Sequence, residues 1–298
     1  MEKVSTFQAW ILASRPKTLT AAFAPLIVAT ALIASRGHSL VWWITLCALF
    51  VGVGIQIGTN LFNDVLDFKK GTDTHERLGP LRVTQAGLLS PKAVFIGACI
   101  SYAVAVLFGL PLIFHSGWII LLIGFICLFL GYAYTGGSFP ISYLWIGEIF
   151  VILFFGLTII GGVSYLQTGT VGKETFLAGL QMGLLSTVML AVNNLRDVEG
   201  DRKAQKRSFA VRFGVEAARK EIAFLCFAPF VLNFFWFVWG DIAAALLPFL
   251  VLPLAMKVTK GVFITEPSRT YNQFLAKGAL LHLLFGIFLS VGLLLGSV

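Results

Sequence analysis

Four polar side chains carry the first chemical signal. Asn60, Asn63, Asp64 and Asp67 stand at i, i+3, i+4 and i+7, a spacing that puts them on one face of a helix. They close an otherwise apolar run, where ionisable groups are costly unless something compensates them. Gly71 is expected to end the helix and let Asp73 turn back toward the stripe. A second stripe repeats the Asn-x-x-x-Asp core: Asn193, Asp197 and Asp201 recur at intervals of four, with Asn194 alongside. Across a shared cavity Asp64, Asp67, Asp73, Asp197 and Asp201 would repel one another, and a divalent cation is the simplest counter-charge. Oxygen donors with no His or Cys beside them suit a hard ion such as Mg²⁺, which completes its shell with water and phosphate oxygens. Magnesium in turn implies a phosphate. Lys69, Lys70, Arg77, Arg82, Arg196, Arg202, Lys203, Lys206 and Arg207 would complement a di- or triphosphate, with arginine offering forked contacts.

The elements that must carry these stripes are membrane helices. Of 298 residues, 58% are hydrophobic and 12% charged, with a mean hydropathy of +0.89, against about 25% charged in soluble domains. Apolar segments long enough to cross about 30 Å of hydrocarbon fall at 18–35, 40–62, 92–111, 116–134, 144–165, 175–194, 221–239, 241–257 and 276–296. The runs are continuous in Leu, Ile, Phe, Val and Ala rather than alternating, which argues against a β-barrel. The expected fold is an all-α polytopic membrane protein, a single domain over 1–298, with nine transmembrane helices around a central cavity opening toward the cytoplasm. The N-terminus lacks the basic start and small-residue cleavage site of a signal peptide, so the first span is expected to remain.

With that N-terminus inside, 20 of the 22 Lys and Arg residues fall on the cytoplasmic side, Arg36 and Lys173 being the exceptions. Both stripes follow even-numbered spans and share that side of an inner (cytoplasmic) membrane. The net charge of +8 thus describes one membrane face, and no nucleic-acid partner is needed to explain it. Cys47, Cys99, Cys127 and Cys226 all lie in apolar spans without metal-ligand spacing. No sequence feature specifies an oligomeric state. A phosphorylated substrate handled at the mouth of a lipid-embedded bundle is most simply a lipid with a diphosphate head. Its tail would occupy an apolar tunnel, and some of the 28 phenylalanines could face a carbocation there.

The residues resemble the UbiA superfamily of intramembrane prenyltransferases, whose members carry Asn-x-x-x-Asp after the second of nine helices and Asp-x-x-x-Asp after the sixth. The resemblance covers essentially the whole chain. "ASRPKTLT" at 13–20, "NDVLDFKKGTDTHERLGPLRVTQAGLL" at 63–89, "YTGGSFPISYLWIGE" at 134–148 and "NNLRDVEGDRKAQKRSFAVRFG" at 193–214 look like the MenA branch. That branch comprises the 1,4-dihydroxy-2-naphthoate polyprenyltransferases of menaquinone synthesis. Gly71 stands where the family usually has a third acid and Asp73 takes its place, a variant of the naphthoate branch. "KRSFAV" departs mildly from the branch's Lys-x-Thr-Leu-Ala-Val.

The resemblance implies Mg²⁺ ligands at Asn63, Asp67, Asp73, Asp197 and Asp201, the four aspartates being the catalytic set. Candidate substrate contacts are Asn63, Asn193, Asn194, Arg15, Lys17, Arg77, Arg82, Arg196, Arg202 and Lys206. Asn60 and Asp64 join them on helical geometry alone, and Tyr134 and Glu148 as residues that could orient an acceptor. The implied reaction moves a polyprenyl group from its diphosphate to 1,4-dihydroxy-2-naphthoate with loss of the carboxylate, giving demethylmenaquinone. Sister enzymes acting on 4-hydroxybenzoate, homogentisate, haem or 1,4-dihydroxy-6-naphthoate share the metal motifs. A CDP-alcohol phosphotransferase would carry an Asp-Gly-x-x-Ala-Arg signature, which is absent. A cation transporter would place its polar groups near the midplane on broken helices.

Overall fold

A computed structural model describes residues 4–71, 78–138 and 140–296. Helix α1 (Thr6–Ser14) is short and starts at a capping box in which Ser5 and Gln8 bond each other's backbone amides. Helices α2 (Pro16–Ser35), α3 (Trp42–Lys69), α4 (Pro91–Ser116) and α5 (Trp118–Ala133) follow. The next crossing is composite: α6 (Gly147–Val151) runs through a π-helical stretch, Ile152–Thr158, into α7 (Ile159–Thr168). Helix α8 (Lys173–Arg196) leads into the short α9 (Val198–Lys203) and α10 (Phe209–Phe213), and then α11 (Val215–Val238). Helix α12 (Ile242–Leu246) passes through a 3₁₀ turn, Leu247–Val251, into α13 (Leu252–Ile264), and α14 (Tyr271–Leu295) closes the chain.

Eight of these segments are long and apolar enough to cross a membrane. The segment expected at 116–134 is a shorter apolar helix of 16 residues, about 24 Å long. Two expected spans prove to be interrupted. Pro248 and Pro253 lack the N–H that an α-helix needs at those points, so the backbone between them tightens to 3₁₀. The π-helical stretch has a packing cause. An added Cβ on Gly156 would collide with the Gly179 carbonyl oxygen, and one on Gly183 would lie 2.6 Å from that of Ile152. Glycines thus let α8 and the π segment touch backbone to backbone, as small residues do in membrane bundles.

Helix α8 is the axis of the bundle. In its apolar window 83% of residues are buried, against 17% for α4, which faces outward. It packs on α11, α14 and the π segment, while α14 also packs on α2. One core joins these helices through Val28, Leu185, Ile222 and Phe285. A second core forms where α1, α3 and α4 meet, around Ala9, Leu61, Val65 and Ala98. Large apolar side chains such as Phe114, Phe224 and Phe234 are exposed on the outside, as lipid contact requires. At the end away from the aspartate motifs, Arg36 forks the buried Asp241 at 2.6 and 3.2 Å, tying α2 to the turn before α12.

Candidate active site

A cavity of about 880 Å³ is enclosed by residues of α2, α3, α4, α5, the composite crossing and α8. Along α3 it is bordered by Ala48, Leu49, Val51, Gly52, Ile55, Gln56, Asn60, Asn63 and Asp67, a stripe about 28 Å long at 1.5 Å per residue. Polarity is graded along it: the first half is apolar, and polar groups begin at Gln56. The apolar end closes on Leu112, Ile120 and Leu166. Among the described residues, Phe125, Phe150, Phe154 and Phe155 are the phenylalanines that border the cavity, with Phe150 and Phe154 stacked at 6.3 Å.

Both aspartate motifs converge on the polar end, which is bordered by Asn60, Asn63, Asp67, Asn193, Asn194, Asp197 and Asp201. Arg15, Arg82, Lys203, Lys206 and Tyr134 border it too. Asn63 Oδ1 accepts a hydrogen bond from the Thr135 hydroxyl, so the turn after α5 fixes the first motif's amide. Asp67 pairs with the buried Arg82 at 3.3 Å. The side-chain nitrogen of Asn60 donates to the Ser14 carbonyl at 3.0 Å and to Thr18 at 3.2 Å, which clamps the elbow between α1 and α2. Arg15 forms that elbow with φ at +53°, and Gln205 has +58°. Among the described residues these two alone, glycines aside, have positive φ. Arg15 borders the cavity, and so do both neighbours of Gln205. Backbone strain of this kind gathers at functional sites.

The second motif is organised by a side chain that never reaches the cavity. Arg196 is fully buried; its Nε and Nη2 fork Asp197 at 2.8 and 2.5 Å. Nη2 also bonds Asn193 at 2.6 Å, and Nη1 bonds Asn272 of α14 at 2.7 Å. Asn272 in turn donates to the Leu78 carbonyl at 3.0 Å, so one chain of hydrogen bonds ties the second motif to the loop that follows the first. The expectation of Arg196 as a substrate contact is therefore corrected: it orients Asp197 and Asn193. No sequence signal marks Asn272, an ordinary polar residue near a helix start.

Three further expectations are corrected by geometry. Asp64 does not border the cavity; its two oxygens accept from the backbone amides of Val83 and Thr84 at 3.1 and 3.0 Å. Arg202 pairs with Glu199 at 2.8 Å, both exposed to solvent. Glu148 is buried outside the cavity and accepts from Asn194 at 2.8 Å, so it supports a motif residue instead of lining the site. Lys17 lies in the first turn of α2. Asp73 and Arg77 lie outside the described residues.

The UbiA prenyltransferase family matches residues 22–295 of this sequence. The chain belongs to that family. It is 36% identical to a 1,4-dihydroxy-2-naphthoate octaprenyltransferase of Escherichia coli K12, over 97% of this chain and 98% of that one. It is 35% identical to the 1,4-dihydroxy-2-naphthoate octaprenyltransferase of Mycobacterium leprae, over 87% of each. Its fold matches a UbiA homologue from Archaeoglobus fulgidus bound to GPP and Mg²⁺ with a TM-score of 0.66 at 15% identity, over 96% of this chain and 99% of that one.

The donor set of this UbiA chain can be tested against a divalent cation. Among the described residues no group of three or more His, Cys, Asp or Glu could hold a metal by itself. What borders the cavity is instead a set of hard oxygens on two facing helix ends, with Asp67, Asp197 and Asp201 each beside a cation. That arrangement fits Mg²⁺, which takes one or two carboxylates and completes its octahedron with water and substrate phosphates. It fits a cation that arrives with a diphosphate better than a permanently caged one.

Proposed function

We propose that this protein transfers a polyprenyl group from a polyprenyl diphosphate to 1,4-dihydroxy-2-naphthoate, releasing diphosphate and carbon dioxide and yielding demethylmenaquinol, the reduced form of demethylmenaquinone. The observation that carries the reading is the graded cavity: along a stripe about 28 Å long, two Asn/Asp motifs stand at one end and an apolar wall at the other. A diphosphate head and an isoprenoid tail match that gradient. The curated relatives that share about a third of its residues are named for the same acceptor.

Asn63, Asp67, Asp197 and Asp201 are the residues that would hold Mg²⁺, with Asp73 completing the set. A Mg²⁺ ion held there would supply positive charge to offset that of the departing diphosphate. Arg82 and Arg15 add fixed positive charge at the same end, and preorganised charge of this kind accounts for much of the rate enhancement in many enzymes. The apolar wall excludes water from the allylic carbon, so the electron-rich naphthoate ring is the nucleophile that meets it. The stacked Phe150 and Phe154 offer aromatic faces to developing positive charge. After C–C bond formation the ring carbon that bears the prenyl group loses its proton, the carboxylate leaves as carbon dioxide, and a proton takes the place of the carboxylate on the ring.

Nine crossings are proposed, α5 being the ninth, its shortness met by local thinning of the bilayer. The motif end faces the cytoplasm of an inner membrane, on the strength of the Lys and Arg asymmetry. Purified protein given a panel of acceptors and prenyl diphosphates, with products read by mass spectrometry, tests the proposal. Asp67→Ala and Asp197→Ala are expected to lose turnover while remaining folded; full turnover by either overturns the scheme.

A further inference from the structure

Three facts converge at the rim of the polar end. The Lys70 ammonium, on the residue that follows α3, lies 5.1 Å from the Tyr143 ring centroid and donates to the Thr135 carbonyl at 2.6 Å. The Lys206 ammonium, from the loop after α9, lies 5.1 Å from the same centroid. Tyr143 sits in the turn Ile141–Tyr143, whose backbone is tied on one side to Tyr134, through the Ser142 amide at 2.8 Å, and on the other to the Arg207 amide at 2.8 Å. Two ammonium groups, one from the chain just past each motif, thus lie beside one ring and no more than about 10 Å apart.

Like charges brought this close repel, and the attraction of a ring face offsets only part of that. An anion between them would relieve the rest. Lys206 keeps a long ion pair with Asp201, 3.7 Å, and borders the cavity. Ser142, Thr135 and Tyr134 border the same cavity and, being uncharged, could flank a flat ring. Of the other cations, Arg82 is paired with Asp67 and stands with Arg15 at the end assigned to the diphosphate, and Arg196, paired with Asp197, does not border the cavity. A naphthoate carries one carboxylate, which cannot enter an apolar cavity without a cationic partner.

We propose that Lys70 and Lys206, steadied by Tyr143, form the subsite that takes the carboxylate of the aromatic acceptor. It rests on the acceptor class proposed above and adds what the carboxylate is for: it anchors the ring at the rim with its reactive edge toward the cavity. The diphosphate of the donor is the other anion with the right chemistry, so the test separates the two.

The experiment compares wild type, Lys70→Met, Lys206→Met and Lys206→Arg in steady-state assays. It varies 1,4-dihydroxy-2-naphthoate at saturating donor, then donor at saturating acceptor, and measures inhibition by 1,4-dihydroxynaphthalene, which lacks the carboxylate. Loss of one charge-assisted contact is expected to raise the acceptor KM by roughly tenfold or more. Donor KM and the inhibition constant of the carboxylate-free analogue stay within about twofold, and Lys206→Arg recovers most of the loss. An unchanged acceptor KM in both Met variants overturns the proposal. So does a rise in donor KM alone, which assigns the pair to diphosphate, or an equal weakening of the analogue, which assigns it to general packing. If wild type instead uses another aromatic carboxylate, the acceptor reading fails separately and the same comparison is run with that acid.

Discussion

Replacing Arg196 by lysine separates a residue that orients the site from one that binds substrate. The guanidinium is completely enclosed and makes four hydrogen bonds in three directions, two to Asp197 and one each to Asn193 and Asn272. Lysine keeps the charge but concentrates its donors on one nitrogen, which cannot reach all three partners. At least two charged hydrogen bonds are lost, at about 1.5–3 kcal/mol each, a total close to the 3–5 kcal/mol typical of a broken buried ion pair. Much of that cost falls on the orientation of Asp197, and a misplacement of about 1 Å in a reacting constellation lowers a rate by roughly 10²-fold. The assay measures kcat, donor KM and the Mg²⁺ concentration for half-maximal rate, with thermal unfolding in detergent as the control for fold. The expected result is a kcat lower by about two orders of magnitude, a higher Mg²⁺ requirement and a donor KM little changed. A raised donor KM with normal kcat would show that Arg196 touches the diphosphate after all and refute the reasoning. Wild-type kinetics would refute it equally.

The other expectations concern the frame around the site. Asp64→Ala leaves the Val83 and Thr84 amides without their acceptor, at about 1–3 kcal/mol for each buried unpaired group; unfolding is expected at lower temperature, with donor KM unchanged. Gly183→Ala places a methyl 2.6 Å from the Ile152 carbonyl oxygen, so α8 and the π segment must separate by about 0.8 Å to regain the 3.4 Å of an ordinary contact. Overpacking of that kind costs about 1–3 kcal/mol. Because Phe154 and Phe155 belong to the displaced segment, rates with long-tailed donors are expected to fall more than rates with short ones. Arg36→Ala strands Asp241, which is 3% exposed, and, because the Arg36 side of the pair is 37% exposed, is expected to destabilise by roughly 1–3 kcal/mol. Its kcat should match wild type, since the pair lies at the far end from the motifs; differential unfolding and a rate measurement check both halves.

Much of this was legible in the sequence because its signals are local. Helical period alone aligned Asn60, Asn63 and Asp67, and all three do border the cavity. The positive φ of Gly71, at +68°, sits where a glycine was expected to end α3. Length and hydropathy gave the membrane helices, although they could not reveal that α5 stops at 16 residues or that Gly156 and Gly183 bring two backbones into contact.

The chemistry was thus written in residue type and short-range spacing: hard oxygens in two repeated motifs, cations beside them, and apolar helices to hold a tail. The direction in which each group faces came from the packed bundle. Asp64 and Asp67 are three residues apart on one helix, yet the loop at Val83 and Thr84 closes on the first and leaves the second to the cavity. Arg196 and Asp197 are adjacent in sequence, yet the first is enclosed against Asn272, 76 positions away. The phase of a helix within a bundle is set by what packs around it, and those partners come from distant parts of the chain.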